Sequence, residues 1–542
     1  MKTPIPSVLS LLLLLLLSVS ADEAFSTLQS RENFVQCLTT LSRDYPSITK
    51  VTHTPTISSY ASVLDYSTKN LRFSSPTTPK PQAIITPLHE SHIQAAIICS
   101  KKHGLQVRFR SGGHDYEGLS YVSQVPFVVI DMRNFRSVAV DEPNGTAWAQ
   151  AGATLGEVYY GIAATSRTLG FPAGTCPAVG VGGHLSGGGY GTMLRRHGLA
   201  ADNVIDAIIV DVNGKVLNRQ TIGEDLFWGI RGGGGASFGV IIAWKIKLVS
   251  VPPTVTVFTL RKTLEQNATK LVHRWQSIAP KLDPNLYIRV TMTQLGKSNE
   301  DRRRQTTVQA SFIALFLGRA DELLRVTQRS FPELGLTKED CTETSWIRSI
   351  IYFAELPPGN YSPDVLLNRA VLPSRYMKAK SDYVKEPIPE MGLEGIWKMF
   401  LEDEAKESEM IFTPYGGRMS EIPAYAIPYP HRAGNLYNIQ QLACWKEGGT
   451  AIADRHIAWI RRLYSYMAPF VTKSPRSAYM NYRDFDVGVN NIDNTSYRQA
   501  SVWGFKYFDN NFNRLVRVKT NAYPGNFLKN EQSIPSLSAE RS

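Results

Sequence analysis

The chain has 542 residues, 43% hydrophobic and 20% charged, which is enough apolar material for a large core and excludes a disordered chain. Its formal net charge is +12, but Lys and Arg are spread out rather than clustered, which argues against nucleic acid as a partner. The longest basic run, Arg302-Arg303-Arg304, sits among polar residues and reads as a solvated face; attraction to acidic cell-wall polymers is the lesser alternative.

The N-terminus reads as a secretory signal peptide over residues 1–21. Lys2 gives the positive start, Val8 to Val19 the apolar run, and Val19-Ser20-Ala21 the small residues before a cleavage ahead of Asp22. The run is shorter than the roughly 20 residues a membrane span needs, and no other apolar run approaches that length, so no transmembrane anchor is expected. The route implies an extracellular (apoplastic) or vacuolar protein in which disulfides can form. Four N-x-S/T sequons fit it, at Asn144, Asn267, Asn360 and Asn494. The five cysteines, Cys37, Cys99, Cys176, Cys341 and Cys444, are an odd number, so at least one is unpaired or otherwise engaged.

Apolar spacing predicts helices over Arg31 to Leu41 and His89 to His103, each carrying one cysteine, Cys37 and Cys99. A bridge between them would tie the N-terminal extension to the domain body. Val125 to Met132 reads as a buried strand and Leu155 to Ala164 as a helix. Val204 to Leu217 forms two apolar runs around Asn213-Gly214, a hairpin signal, and Val240 to Leu248 is another strand. Strands mixed with helices and hairpins predict an α+β fold. Pro252-Pro253 marks a boundary. Beyond it, Thr254 to Leu260, Leu286 to Thr293 and Thr307 to Leu317 read as antiparallel strands, with helices over 264–279 and 320–330. Residues 355–395 read as loop-rich, Ile411 to Ser420 as a strand and Ala451 to Met467 as an amphipathic helix. The tail from Asn481 to Pro535, rich in Asn, Tyr, Phe and Arg, does not resemble a loose terminus.

Several common motifs fail. Gly296-Lys297-Ser298 ends like a phosphate-binding loop, but Thr291 stands where the first glycine is needed. His89-Glu90-Ser91-His92 is one residue short of a helical zinc site, there is no Cys-x-x-Cys, and no stretch gives the full G-x-G-x-x-G fingerprint, so no metal site is expected. What remains is three glycine-rich segments within about 130 residues: Arg110 to Gly118 (RSGGHDYEG), Gly180 to Gly191 with seven glycines in twelve positions, and Arg231 to Gly239 with five in nine. Such loops can present backbone N–H groups to phosphate oxygens.

R-S-G-G-H-D-Y-E-G-L-S-Y over 110–121 and C-P-A-V-G-V-G-G-H-L-S-G-G-G-Y-G over 176–191 resemble the berberine bridge enzyme-like family of plant oxidoreductases, within the vanillyl-alcohol-oxidase (PCMH-type) flavoproteins. The tail segments N-Y-R-D-F-D-V-G-V-N, N-F-N-R-L-V-R-V-K-T and N-E-Q-S-I-P are similar too, so the resemblance spans essentially the mature chain. It implies a PCMH-type FAD-binding domain over 22–251 (core about 76–251), a substrate domain over 252–479 with an antiparallel sheet backed by helices, and a segment over 480–542 that returns to the FAD domain.

The resemblance further implies FAD attached twice, through His114 at the 8-methyl carbon and Cys176 at C6. Arg110, Ser111, Gly112 and Gly113 would line the pyrophosphate. Asp115, Ser120, Gly174, Thr175, Val179, Gly182, Gly183, His184, Ser186, Gly187, Tyr190, Gly239 and Val240 would complete the cofactor site. A Cys37–Cys99 disulfide is implied, which leaves Cys341 and Cys444 as buried thiols or as a second bridge. Tyr482 matches the position of the base, Arg289 the cation that would lower its pKa, and Gln440 a hydrogen-bonding partner, with Tyr116 and Tyr190 near the ring or substrate. Val179 matches the position that admits dioxygen. Asn438, Gln441 and Cys444 depart from the pattern around the substrate pocket.

The function so implied is a secreted, monomeric oxidase of a phenylpropanoid alcohol, a carbohydrate or a specialised metabolite, with dioxygen as acceptor and hydrogen peroxide as product. Oxidative cyclisation is a rival within that class. The alternatives are a redox-neutral cycloaddition enzyme acting on a prenylated phenolic with FAD as scaffold, and a binding protein with vestigial flavin.

Overall fold

A computed structural model describes residues 28–42, 45–296, 306–354, 356, 359–370, 373–491 and 495–537. The leader, the Arg302-Arg303-Arg304 run and the Asn494 sequon lie outside these residues. Asn144, Asn267 and Asn360 are exposed.

The first half carries two main sheets. In one, the strands Thr52–His53, Ala83–Ile85, Phe127–Asp131 and Gln106–Arg110 lie side by side, and the last three are parallel. Parallel neighbours need a crossover, and helix Glu90–Lys102 supplies the one between Ala83–Ile85 and the strands that follow. The other is an antiparallel sheet of Val138–Asp141, Thr146–Gln150, Val240–Lys247, Val204–Val210 and Val216–Leu217. Its last hairpin turns at Asn213-Gly214, where Gly214 takes φ +75°. Helix Leu155–Thr165 starts at a capping box in which Thr154 and Glu157 satisfy each other's backbone N–H groups. A Cys37–Cys99 disulfide joins the helix over 28–41 to helix Glu90–Lys102.

The second half is built on a seven-stranded antiparallel sheet: Thr342–Thr344, Val255–Thr263, Thr307–Phe316, Leu286–Leu295, Glu409–Pro414, Tyr437–Trp445 and Tyr376–Val384. Alternate side chains of a strand point to opposite faces. Ile288, Val290, Met410, Phe412, Ile439 and Ala443 therefore join one core with Trp275, Leu323, Ile396 and Trp459 from the helices Ala268–Ile278, Ala320–Ser330, Glu390–Phe400 and Thr450–Met467. The residues between them, Tyr287, Arg289, Ile411, Thr413, Gln440 and Leu442, face the other way and wall a cleft.

The expected loop over 355–395 is corrected. It contains the nine-residue strand Tyr376–Val384 and the start of helix Glu390–Phe400. The strand hides because Lys378, Lys380 and Asp382 alternate along it like a solvent face, yet all three are buried and paired. Lys378 pairs with Glu117 and with Asp484 at 2.6 Å, Lys380 with Asp484 and Asp486 at 2.7 Å each, and Asp382 with Arg476 at 2.6 Å. Burial still pushes the Asp382 carboxyl up to about 6. Removing one partner of such a pair costs about 3–5 kcal/mol, because it leaves an uncompensated buried charge. The strand expected over Ile411 to Ser420 ends at Pro414, and Gly416 and Gly417, both at positive φ, lead into a short helix Arg418–Glu421.

The tail folds back on the first half. Helices Tyr497–Phe508 and Asn511–Ala522 bury Trp503, Phe512 and Leu515 in the same core as Trp244 and Phe227, and Arg514 reaches Asp225 at 2.7 Å. Among the described residues no helix is long and apolar enough to cross a membrane.

Candidate active site

A cleft of about 510 Å³ runs between the glycine-rich loops and the open face of the seven-stranded sheet. One wall is backbone. The turn at Gly112-Gly113 is packed on both sides. A Cβ on Gly112 would come within 2.4 Å of the Gly180 nitrogen, and one on Gly113, at φ +72°, within 1.8 Å of the Ser67 carbonyl oxygen. Gly183 is the opposite case. A Cβ there meets nothing within 4 Å, so its bare backbone opens into the cleft.

His114 and Cys176 both line this wall. The His114 ring bonds the carbonyl of Ala178, while its Nε2 is buried with no hydrogen-bond partner. Burial, with help from the Lys69 charge, pushes its pKa down to about 4, so the imidazole is neutral and keeps a lone pair. His184 is likewise pushed down to about 4 by burial and accepts from the Gly174 N–H at 3.1 Å. A deep cleft with bare-backbone glycines, an orphaned imidazole nitrogen and a cysteine outside any disulfide fits an FAD.

Of the expected cofactor residues, Arg110, Ser111, Gly112, Gly113, Asp115, Ser120, Gly174, Thr175, Val179, Gly182, Gly183, His184, Ser186, Tyr190, Gly239 and Val240 all lie on the cleft. Arg110 does not offer its charge there. Its guanidinium is buried against Asp131 at 2.7 Å and donates to the carbonyls of Val63 and Leu64. Asp115 accepts from the Glu117 and Leu119 N–H groups and from Arg483, so its carboxylate shapes the loop. Gly187 is packed closely, where a Cβ would fall 2.0 Å from Asn481 Oδ1.

Side chains from the loops, the tail and the sheet complete the cleft. Tyr116, Tyr190, Tyr479 and Tyr482 form one cluster: Tyr116 stacks on Tyr482 at 5.8 Å between centroids, and Tyr479 meets Tyr482 edge-on at 5.0 Å and Tyr190 at 5.3 Å. Gln440 Nε2 donates to the Tyr116 hydroxyl at 2.7 Å. Asn438 Nδ2 donates to the Asp382 carbonyl at 3.1 Å, which turns its Oδ1 toward the Tyr190 hydroxyl at 3.0 Å. Tyr190 gives its proton to Asn438, so in the short Tyr190–Tyr482 hydrogen bond it is Tyr482 that donates.

Arg289 and Tyr482 both line the cleft. Burial pushes the Tyr482 phenol well above its ordinary value, the neighbouring Tyr116 raises it further and the hydrogen bond with Tyr190 lowers it. Arg289 lies 5.4 Å over the Phe353 ring and lowers the pKa of Tyr287, which burial raises. Sequence reasoning missed Lys69, Tyr287, Phe353, Arg375, Met377, Glu409 and Tyr479 on the cleft, as well as Lys529, Asn530 and Gln532 from the tail. Period-two alternation with the known Arg289 and Gln440 could have found Tyr287; nothing local marks Lys69.

Cys444 is buried and Cys341 half-buried, and burial pushes each thiol up to about 11; neither is bridged. Among the described residues no cluster of His, Cys, Asp and Glu could hold a metal ion.

Two family descriptions match the chain, "FAD binding domain" over residues 81–219 and "Berberine and berberine like" over 478–535. The chain is 51% identical to a tetrahydroberberine oxidase of Berberis wilsoniae, over 94% of each protein. It is also 51% identical to the monolignol oxidoreductase AtBBE-like 13 of Arabidopsis thaliana, over 97% of each. The solved structure of BBE-like 28 from Arabidopsis thaliana superposes with a TM-score of 0.87 at 48% identity, covering 93% of this chain and 99% of that one. The chain belongs to the berberine bridge enzyme-like family and is an FAD-linked oxidoreductase with an α+β fold.

Proposed function

We propose that this FAD-linked oxidoreductase is a secreted oxidase that holds its flavin through both His114 and Cys176 and oxidises an alcohol group, with dioxygen as acceptor and hydrogen peroxide as product. The tyrosine cluster around Tyr482, facing His114 and Cys176 across one cleft, carries the reading. Bound FAD would supply a two-electron acceptor for the hydride of the carbinol carbon. Tyr482 takes the hydroxyl proton, and the cost of ionising a buried phenol sets how fast it does so. Gln440 and Asn438 orient Tyr116 and Tyr190, which hold Tyr482 in place. Val179 lines the cleft, and on this reading it governs access of dioxygen.

The similarity to a monolignol oxidoreductase and a tetrahydroberberine oxidase favours an aromatic alcohol or a specialised metabolite over a simple sugar. The apolar leader, the exposed sequons and the Cys37–Cys99 bridge favour secretion through the apoplastic or vacuolar route, as a monomer organised into the FAD and substrate domains expected from the sequence. Acid-precipitated protein should stay yellow, and aerobic turnover of an aromatic primary alcohol should release one peroxide per oxygen consumed. Release of free FAD would refute the tether, and turnover only with an artificial acceptor would refute the oxidase.

One observation favours a second reading. A protonated Tyr482 is a hydrogen-bond donor, which suits polarising a carbonyl in a redox-neutral cycloaddition. Substrate added without air bleaches the flavin under the first reading and leaves it yellow under the second.

A further inference from the structure

The segment around Lys69 lines the same cleft as His114 and Cys176. It is clasped through its backbone. The Arg375 N–H donates to the Lys69 carbonyl at 3.3 Å, the Leu71 N–H donates to the Arg375 carbonyl at 3.0 Å, and the Ser67 carbonyl abuts Gly113 next to His114. Asn70 Nδ2 adds bonds to the carbonyls of Tyr116 at 2.9 Å and Met377 at 3.0 Å. The Lys69 side chain is therefore presented to the cleft from a fixed backbone, half-buried.

Its charge has little to neutralise it. Nζ donates one long bond, 3.4 Å, to the Arg369 carbonyl and forms no ion pair among the described residues. The neighbouring Arg369 guanidinium is occupied by Glu157 at 2.8 Å. The ammonium lies in Coulombic reach of both Cys176 and His114. Burial lowers the Lys69 pKa while Cys176 raises it, so ammonium and thiolate stabilise each other; His114 is held neutral chiefly by burial. A thiolate and a neutral imidazole are the nucleophilic forms of the two side chains.

We propose that Lys69 is the positioning cation that activates Cys176 for attachment to the flavin. The proposal rests on the double-tether reading above. In the attachment step the Cys176 Sγ–C6 bond forms and the C6–H bond breaks. The thiol proton and the C6 proton leave, and the two electrons gained by the ring pass to dioxygen, which departs as hydrogen peroxide. Lys69 makes no bond to the flavin; it raises the fraction of Cys176 that can attack.

Peptide mass spectrometry of the purified holoenzyme tests this, scoring the flavin-bearing and bare forms of the Cys176 and His114 peptides separately in wild type, Lys69→Met and Lys69→Arg. An opposite charge a few ångströms away shifts a thiol by about 1–3 pKa units, so Lys69→Met should lower the ratio of modified to bare Cys176 at least about tenfold. His114 should stay modified, and Lys69→Arg should restore Cys176. Cys176 modified to the wild-type extent in Lys69→Met overturns the proposal. So does equal loss of both tethers, which would make the side chain a packing element. A bare Cys176 peptide in wild type refutes the double tether itself, a result separable from the other two.

Discussion

The two walls of the cleft are made of different things. On the glycine-loop wall the chain removes side chains so that backbone can approach backbone and ligand, as at Gly112, Gly113 and Gly183. On the sheet wall it adds them, alternate residues of strands such as Leu286–Leu295 and Tyr437–Trp445 projecting Tyr287, Arg289, Gln440 and Leu442 into the same space. At Gly112 and Gly113 the first wall tolerates almost no change, because the contacts are backbone atoms that cannot step aside. The second can be rewritten side chain by side chain without disturbing the strands that carry it. Cofactor retention and substrate choice are thereby assigned to separable parts of one site.

The largest effect should come from the first wall. Gly113→Ala places a methyl 1.8 Å from the Ser67 carbonyl oxygen at a φ that L-residues avoid, so the variant should be colourless or insoluble; flavin absorbance relative to protein absorbance measures it. A yellow protein of normal stoichiometry would erase the distinction between the walls. The proposed base should show itself next, in the pH dependence. Tyr482 acts deprotonated, and burial raises its pKa, so the active form grows as pH rises. With chemistry rate-limiting, kcat/KM should climb by up to about tenfold per unit from about pH 6 to about pH 9 without a plateau. A plateau starting near neutrality would mean that a filled cleft lowers the phenol, by bringing Arg289 to it. Smaller still is Gln440→Leu. It removes one hydrogen bond to Tyr116, worth about 1 kcal/mol, so kcat should fall about five-fold at unchanged flavin content. Loss of flavin in that variant would show that the walls are coupled.

The same contrast explains what the sequence disclosed. Glycine spacing is read directly, because a bare backbone at 112–113 and 180–183 is itself the function, and the helices, the Asn213-Gly214 hairpin and the strand Leu286–Leu295 follow from local periodicity. Strand Tyr376–Val384 was illegible because Lys378, Lys380 and Asp382 look solvated until Glu117, Asp484, Asp486 and Arg476 arrive from distant segments to pair them. Arg289 and Tyr482 both line the cleft, but their mutual distance depends on how strand Leu286–Leu295 and the tail pack together, which no local pattern encodes. Lys69, in a short connecting stretch with no motif of its own, becomes meaningful only beside His114 and Cys176.

The central claim is that Tyr482 acts as the base for oxidation by a flavin held on the glycine-loop wall. Anaerobic stopped-flow mixing of wild type and Tyr482→Phe, matched for covalent flavin, with an aromatic primary alcohol tests it directly. Loss of a general base costs about 10²–10⁴-fold, so flavin bleaching in the variant should slow by at least about a hundredfold. Equal bleaching rates in the two proteins would contradict the account.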